Sequence, residues 1–355
     1  MNNCSVFYVP MLPSEARYTG MLLDIWEKQE GVTVIPGFRG SPHVPLQGNF
    51  ENPFSASAWA FEQCFVINQM LQEMQTREIS TQKFIFIFAD IYHPAIRTIR
   101  WCEHTLPCSI RIGAMNNASY TDPYDMTRNM REEWASADEL SVMAACDVIF
   151  AGSTAWQHRL QDSMPFLAEQ IVCTGYPFSA TWTYDATGVG EKVRKVPYAN
   201  GDYWAWPHRV CQSKGWDELC YAAAHCPEEN FLVLSGSENR VVGLPRNVKL
   251  ENSLSKGDYL AILANAKGFL STARQETWGY ALHEALLLGV PVVVPFRASY
   301  ASAEFDFLPV RYHSGQVLCS ALKMPPKPCE VPAEYWAKLA DVPARMISLV
   351  EATFD

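Results

Sequence analysis

Apolar runs alternate with amphipathic stretches along most of the 355-residue chain, and this alternation constrains the fold more than any other feature. Residues 5–9, 83–88 and 147–151 in the first half, and residues 231–234 and 268–270 in the second, are short runs typical of strands buried on both faces. Buried strands that alternate with helices form parallel sheets covered by helices. The sequence therefore predicts an α/β protein.

The length and the turn residues indicate two domains. A chain of 355 residues is roughly twice the usual domain size, and a polar, glycine-containing stretch follows the apolar run at 171–174. We predict one domain over 1–180, a second over 181–331 and a helical segment over 332–355. The same patterns predict helices at 122–145, 256–264 and 279–288, and strands at 203–206 and 290–294.

Composition indicates the class of protein and its compartment. A hydrophobic fraction of 48% and a charged fraction of 19% are those of a globular chain. The longest apolar stretch, 285–296, is interrupted by Gly289 and Pro291 and is too short to span a bilayer. The first residues lack the pattern of a leader peptide. We therefore expect a cytoplasmic protein with no membrane partner.

Cysteines and net charge narrow the chemistry further. The 11 cysteines are scattered without a C-x-x-C pair, so they indicate reduced thiols and no metal site. The formal charge of −10 argues against broad, non-specific adhesion to nucleic acid. A local basic groove remains compatible with that charge.

Two cations lie in one strand-to-helix loop of the second half. Arg209 follows the apolar run at 203–206, and Lys214 directly precedes the helix expected from Gly215. A guanidinium fork, an ammonium and a helix N-terminus together can hold two phosphates. An ordinary solvated pair beside a helix start is the alternative.

Two carboxylates follow the next strand of the second half. Glu276 lies in the loop after 268–270, and Glu284 comes two helical turns later. Paired carboxylates accept hydrogen bonds from sugar and ribose hydroxyls. Alternatively, Glu276 caps the helix and Glu284 lies on the surface, but the apolar residues 285–287 beside Glu284 count against that.

These residues together resemble the donor-site signature of retaining glycosyltransferases of the GT-B fold, family 4 type. The resemblance rests on Glu276, on Glu284 after seven intervening residues, and on Arg209 and Lys214 at the family's spacing. It covers about residues 200–305. Two further matches are Gly236, at the glycine that follows the preceding donor-domain strand, and Glu304, at a frequent acidic position.

The resemblance implies a GT-B architecture, in which two Rossmann-like domains face each other across a cleft. The first domain would choose the acceptor, the second would bind the nucleoside-diphosphate sugar, and the C-terminal helix would cross back to the first. Neither a metal nor a cofactor is implied, and retention would follow from attack on the face that the leaving phosphate occupies. The implied donor contacts are Arg209 and Lys214 to the diphosphate, Glu284 to the ribose, and Glu276 with the backbone at Thr277, Trp278 and Gly279 to the sugar. Trp278 stands where the family more often has Phe and would preserve an aromatic wall.

A narrower resemblance bears on the acceptor. Residues 206–209, 271–273 and 300–304, with Glu276, are similar to the tRNA-queuosine mannosyltransferase branch. It makes the hydroxyl of a modified base in tRNA, or in hydroxymethylated DNA, a candidate acceptor. A glycan or a small molecule is the alternative.

The first half offers three principal candidate residues, and Asn116, Asn117, Asp122 and Asp125 are further positions that could line the acceptor site. Gly20 is expected in a loop after the first strand, facing the donor phosphates, although a glycine there can simply make a turn. Asp90 and His93 follow the strand at 83–88 and are candidates to orient the acceptor hydroxyl. A lone histidine is more often structural.

Two rival functions remain on the sequence alone. A GT-B epimerase or phosphorylase would share the architecture, but the pyridoxal-phosphate lysine of a phosphorylase is not apparent. A non-catalytic scaffold that binds sugar nucleotides would have no need of a complete donor set. The intact set favours a hexosyl- or pentosyltransferase.

Overall fold

The computed structural model describes residues 4–14, 18–37, 53–76, 82–125, 132–185, 201–235, 243–252, 254–324 and 327–354. The chain divides into two compact units. Unit 1 comprises Met1–Gly152, Trp156–Phe178 and Lys338–Asp355, and unit 2 comprises Ser153–Ala155 and Ser179–Ala337. Apart from the short piece at 153–155, the chain passes between units at 178/179 and 337/338, where the sequence analysis places its boundaries at 180/181 and 331/332.

Unit 1 is built on a six-stranded parallel sheet with the strand order β2-β1-β3-β4-β5-β6. Its strands are rich in Val, Ile and Phe, and every residue of β3 after Lys83 is buried, as expected for a sheet covered on both faces. The strands are β1 Cys4–Val9, β2 Val32–Val34, β3 Lys83–Phe88, β4 Ser109–Met115, β5 Val148–Ala151 and β6 Ile171–Cys173. The helices in this part of the chain are α1 Tyr18–Glu27, α2 Pro53–Thr76, α3 Ala95–Glu103, α4 Glu132–Ala145 and α5 Thr154–Ser163.

Unit 2 contains a second six-stranded parallel sheet, with the order β12-β11-β10-β7-β8-β9. The strands are β7 Trp204–Trp206, β8 Phe231–Ser235, β9 Val248–Asn252, β10 Gly268–Leu270, β11 Val292–Pro295 and β12 Arg311–Tyr312. The helices are α6 Ala180–Asp185, α7 Trp216–His225, α8 Lys256–Ala264, α9 Tyr280–Leu287, α10 Gly315–Lys323 and α11 Ala333–Ala340, whose last residues belong to unit 1. Helix α12 Val342–Glu351 lies wholly in unit 1 and packs on β3, β4 and β5.

Each sheet has one point at which the strand order reverses. In unit 1 this switch point lies between β1 and β3, and in unit 2 it lies between β7 and β10. Ligands of open α/β sheets bind beyond the carboxyl ends of the strands that flank such a point. The loops after β1, β3, β7 and β10 are therefore the places to look for a site.

Three predicted elements differ from the structure. The helix expected over 122–145 begins at Glu132 in the described residues, because the Asp122 side chain accepts a hydrogen bond from the Tyr124 amide in a turn around Pro123. The strand expected from 290 begins at Val292, since the Val290 amide bonds the Ala285 carbonyl at the end of α9. The C-terminal helix is two helices, α11 and α12, with Asp341 between them.

The helices were also compared with the length and hydropathy that a membrane span requires. Among the described residues, no helix is both long and apolar enough to cross a membrane.

Candidate functional site

The loop after β7 carries both predicted cations. Lys214 ends a short 3-10 helix at Gln212–Lys214, and its Nζ atom donates to the Gln275 carbonyl at 3.0 Å and to Oε2 of Glu276 at 2.9 Å. Arg209 is half-buried and makes no hydrogen bond or ion pair with any other described residue. A half-buried guanidinium that no described residue pairs is a ready contact for an anion.

The pKa of His208 indicates the electrostatic environment of the loop after β7. Its ring is buried and its Nε2 atom lies 2.9 Å from the Ser271 hydroxyl. Burial, and after it the charges of Lys214 and Arg209, hold the pKa of His208 well below its ordinary value. The two cations are thus close enough to act on one neutral imidazole, which makes the loop electropositive.

The loops after β7 and β10 are joined by short contacts. The Thr272 hydroxyl lies 2.8 Å from the Lys214 carbonyl and 2.9 Å from the Gly215 carbonyl, and it accepts from Nε1 of Trp206 at 2.8 Å. Gly215 has φ +70°, and a Cβ atom there would lie 2.0 Å from the Thr272 carbonyl oxygen. Only glycine fits this approach, which starts α7 directly behind Lys214.

Hydrogen bonds from two serine side chains hold the backbone around Glu276. The Ser299 hydroxyl donates to the Glu276 carbonyl at 2.5 Å. The Ser153 hydroxyl lies 3.2 Å from the Thr277 carbonyl and 2.8 Å from the Ser299 hydroxyl. Glu276 therefore combines a paired side chain with a fixed main chain, an arrangement suited to presenting hydrogen-bonding groups to a ligand.

Gly279 ends this loop and begins α9 in the left-handed conformation, with φ +85°. A Cβ atom on it would lie 3.0 Å from the Tyr300 ring. Glycine is therefore required here both by the backbone angle and by the ring beneath it.

Glu284 is buried on α9, with 4% of its surface exposed, so the surface alternative is wrong. Its carboxylate forms a close ion pair with Lys256 at the start of α8. Burial, and after it the charge of Glu284, raises the pKa of the neighbouring Tyr259 well above its ordinary value. Lys256 is a partner that sequence reasoning missed.

Trp278 does not form the open wall that was expected. Only 2% of its surface is exposed, and its ring stacks on His283 with centroids 4.4 Å apart. The ring is part of the interior of unit 2, so a ligand would meet the backbone of this residue instead. Gly236 lies outside the described residues.

In unit 1, the three candidates follow the two strands that flank the switch point. Gly20 is the third residue of α1, so the expected loop is the first turn of a helix. Asp90 and His93 share the connection between β3 and α3. Their side chains nevertheless have different partners.

Asp90 is poised to change charge near neutral pH. Its Oδ1 atom accepts from the Tyr92 amide at 2.9 Å, while burial raises the pKa of its carboxyl to about 6. The Asp125 charge adds to this rise, and hydrogen bonds from Tyr92 and Asn117 oppose it. A carboxyl with this pKa can orient or accept the proton of a hydroxyl.

His93 already uses both ring nitrogens within unit 1. Its Nδ1 atom accepts from the Ala95 amide at 3.2 Å, so Nε2 carries the proton and donates to Oε1 of Gln63 at 3.0 Å. Burial lowers the pKa of His93 to about 3. This geometry favours the structural alternative for His93.

Sequence reasoning also missed Glu139 on α4. This buried carboxylate accepts from the Tyr92 hydroxyl, from the Ser119 hydroxyl at 2.6 Å and from the Tyr120 amide at 2.8 Å. It fixes the chain after β4 next to Asp90. Within the described residues, no group of three or more His, Cys, Asp or Glu side chains is arranged to hold a metal ion.

Two Rossmann-like units, each with candidate residues at its switch point, define an α/β protein of the GT-B fold. The chain is similar to solved structures over nearly its whole length. One is Anabaena HepE in complex with UDP-glucose. The two chains are 14% identical, the match covers 99% of this chain and 95% of HepE, and the TM-score is 0.58. Others are a UDP-forming α,α-trehalose-phosphate synthase from Burkholderia vietnamiensis (14% identity, 100% and 98% coverage, TM-score 0.59) and sucrose-phosphate synthase from Thermosynechococcus elongatus (13%, 97% and 94%, 0.59).

At these identities the likeness shows the fold alone, and the GT-B prediction is confirmed. No protein-family model matches the chain, and no curated protein sequence matches it. The family 4 type and the tRNA-queuosine branch stay predictions.

Proposed function

We propose that this protein is a glycosyltransferase that moves a sugar from a nucleoside-diphosphate donor to a hydroxyl acceptor with retention of configuration. The observation that carries the proposal is Arg209, a half-buried cation without a partner among the described residues, beside the paired Lys214 at the unit 2 switch point. A diphosphate would supply the negatively charged partner that Arg209 lacks among the described residues.

The chemistry needs no metal ion or cofactor in this proposal. Arg209, Lys214 and the start of α7 would stabilise the negative charge that grows on the leaving diphosphate. The bond between the sugar C1 atom and the phosphate oxygen breaks as the acceptor oxygen bonds C1 from the same face. The acceptor proton passes to the leaving phosphate oxygen, so no enzymatic nucleophile is required.

The two glutamates would divide the donor between them. Glu276, with the fixed backbone at 277–279, would bind the transferred sugar, and Glu284 would accept from the ribose hydroxyls. The close pair of Glu284 with Lys256 supports a fixed orientation for that carboxylate. In unit 1, Asp90 is the proposed residue that orients the acceptor hydroxyl, and His93 is proposed to support the same loop.

The first donor to test is UDP-glucose, because Anabaena HepE, a structure similar to this chain, is described in complex with it. The described loops after β3 and β4 carry Asp90, Asp122 and Asp125, while Arg159 approaches Asp122 at 3.7 Å. The formal charge of −10 on the whole chain favours an uncharged polyol, such as a glycan or small molecule, over a phosphodiester as the first acceptor to test. The modified base in tRNA or DNA is the second candidate acceptor, and it is supported by the resemblance at residues 206–209.

The test is release of nucleoside diphosphate from UDP-, GDP- and ADP-sugars, with polyol, glycan, tRNA and hydroxymethylated DNA as acceptors. We expect release that depends on one donor and one acceptor, continues in EDTA, and is lost in Glu276→Ala. The anomeric configuration of the product, read by NMR, tests retention. Donor binding without release under any condition would favour the scaffold, release without an acceptor adduct would favour hydrolysis or isomerisation, and no binding at all would overturn the donor site.

A further inference from the structure

His283 on α9 is a buried histidine that the donor contacts do not explain. Its ring is fully buried in unit 2 and lies beside two aromatic side chains. The Trp278 ring lies 4.4 Å away between centroids, and the Tyr335 ring lies 5.9 Å away at an interplanar angle of 11°. An apolar side chain could fill this space equally well, so the two ring nitrogens of His283 require an explanation of their own.

Both nitrogens of His283 are in fact hydrogen-bonded, and the partners fix the tautomer. Nδ1 lies 2.9 Å from the Gly279 carbonyl oxygen, which can only accept, so Nδ1 carries the proton. Nε2 therefore accepts from the Tyr335 hydroxyl at 2.7 Å. Burial lowers the pKa of His283 to about 4, which keeps the ring neutral at physiological pH.

This chain of hydrogen bonds ends on the residue that sets the shape of the sugar-binding loop. The Gly279 carbonyl also accepts from the Leu282 amide at 3.0 Å, in the first turn of α9. This carbonyl stands where the loop at 276–279 enters α9, so its orientation affects the backbone angles at the end of that loop. An apolar residue at 283 could fill the same volume, but it would leave only the backbone amides of Leu282 and of residue 283 itself, at 3.0 and 3.3 Å, to hold the carbonyl.

We propose that His283 and Tyr335 are positioning residues for the backbone at 276–279, acting through the hydrogen-bonded chain from Tyr335 to His283 to the Gly279 carbonyl. The inference rests on the proposed function, in which this backbone binds the transferred sugar. Neither side chain touches the donor. Their loss should therefore affect the sugar part of the donor and leave binding of the diphosphate part at Arg209 and Lys214 unchanged.

Four variants test this. Tyr335→Phe removes one hydroxyl and keeps the ring, His283→Leu removes both hydrogen bonds, and His283→Asn restores an N–H donor near the Nδ1 position. Tyr203→Phe is the matched control. The buried Tyr203 hydroxyl also donates to a backbone carbonyl, that of Ile262 at 2.6 Å, but Tyr203 lies at the amino end of β7, away from the carboxyl ends of the strands. Each variant is compared with wild type for kcat and KM with UDP-glucose, and for UDP affinity by calorimetry.

We expect kcat/KM to fall about tenfold or more in Tyr335→Phe and His283→Leu, with UDP affinity within about twofold of wild type. His283→Asn should recover most of the loss relative to His283→Leu, and Tyr203→Phe should match wild type. Equal effects of Tyr335→Phe and Tyr203→Phe, or a matching loss of UDP affinity, would overturn the inference.

A second readout does not depend on activity. The ¹⁵N shifts of the His283 ring should show the neutral Nδ1–H tautomer between pH 5 and 8. The Nε2–H tautomer, or a charged ring in that range, would overturn the hydrogen-bonded chain even in an active enzyme. If wild type neither binds UDP nor transfers a sugar, the proposed function itself fails and this inference falls with it, whatever the tautomer.

Discussion

The Nζ atom of Lys214 lies 2.9 Å from Oε2 of Glu276, and this ion pair joins the loops after β7 and β10 at the switch point of unit 2. Both side chains are largely buried, with 13% and 16% of their surface exposed. The ion pair holds the two side chains in a fixed orientation relative to each other. In the proposed reaction, Lys214 would contact the phosphate and Glu276 the sugar.

Glu276→Gln keeps the shape of the side chain and removes its charge. We expect kcat for sugar transfer to fall about a hundredfold while UDP binds within a few-fold of wild type, because UDP lacks the sugar that Glu276 would hold. Steady-state kinetics and calorimetry measure the two quantities. Glu229→Gln is the matched control. Glu229 also pairs with a lysine, Lys267, and accepts from the Trp204 indole, but it lies at the amino ends of the strands of the same sheet. Transfer at the wild-type rate in Glu276→Gln would remove this residue from the mechanism.

The variant Arg209→Gln should lower the affinity for UDP without lowering the thermal stability of the protein. Because Arg209 has no hydrogen-bonding or ion-pair partner among the described residues, its removal should leave the melting temperature unchanged or slightly raised. The UDP affinity should fall by about 1.5–3 kcal/mol, the range for a charged hydrogen bond. Thermal unfolding and calorimetry give both values.

Arg311→Gln is the control for that pair of measurements, because Arg311 is paired with Asp306 at 2.9 Å. It should lower stability and leave UDP binding intact. A variant Arg209→Gln that loses stability but binds UDP normally would show that this arginine is structural.

Ala298 occupies the left-handed region, with φ 50°, directly before Ser299, which holds the Glu276 carbonyl. Such a conformation costs an L-residue about 1–2 kcal/mol, and glycine avoids that cost. We expect Ala298→Gly to leave the free energy of unfolding unchanged or raise it by up to about 1 kcal/mol, the gain being reduced by the greater entropy of glycine in the unfolded chain. Ala303→Gly, a few residues along in an ordinary conformation, should lower it. The reverse order of the two variants in denaturant titrations would contradict this reading of the loop.

The sequence predicted the parts of the fold and site that depend on neighbours along the chain. Strands such as β3 and β10 were placed correctly because their residues are buried on both faces and form unbroken apolar runs. Arg209 and Glu276 became candidates because each lies in a loop after a strand, where parallel sheets place their ligands. The predicted helix over 122–145 was started too early in the sequence, since a local hydrogen bond in the turn at Asp122 and Pro123 competes with the helical one.

The missed residues have partners far along the chain. Lys256 pairs with Glu284 across 28 residues, and Ser153 bonds Ser299 across 146. No period or motif connects such positions, because only the assembled sheet order brings their elements together. The hydrogen bonds of His283 are hidden for the same reason, since Tyr335 lies 52 residues away.

Asp90 gives the chain a pH dependence whose sign can be worked out. Its pKa is about 6 in the folded protein against 3.8 for an ordinary aspartate, so the native state binds more protons than the unfolded state between those values. Stability contributed by this group is therefore present below about pH 4 and is lost as the pH rises through 6. Asp90→Asn removes the titration, so the free energy of unfolding of wild type minus that of the variant should fall between pH 4 and 6 and stay level above 7.

Denaturant titrations at several pH values measure this difference, with Asp162→Asn, at an exposed position on α5, as the control. If Asp90 also orients the acceptor in its charged form, transfer by wild type should rise through pH 6, and Asp90→Asn should be slow at every pH. A flat difference in stability would mean that the carboxyl is well solvated. A sloping difference with full activity in Asp90→Asn would keep the buried carboxyl but exclude it from acceptor binding.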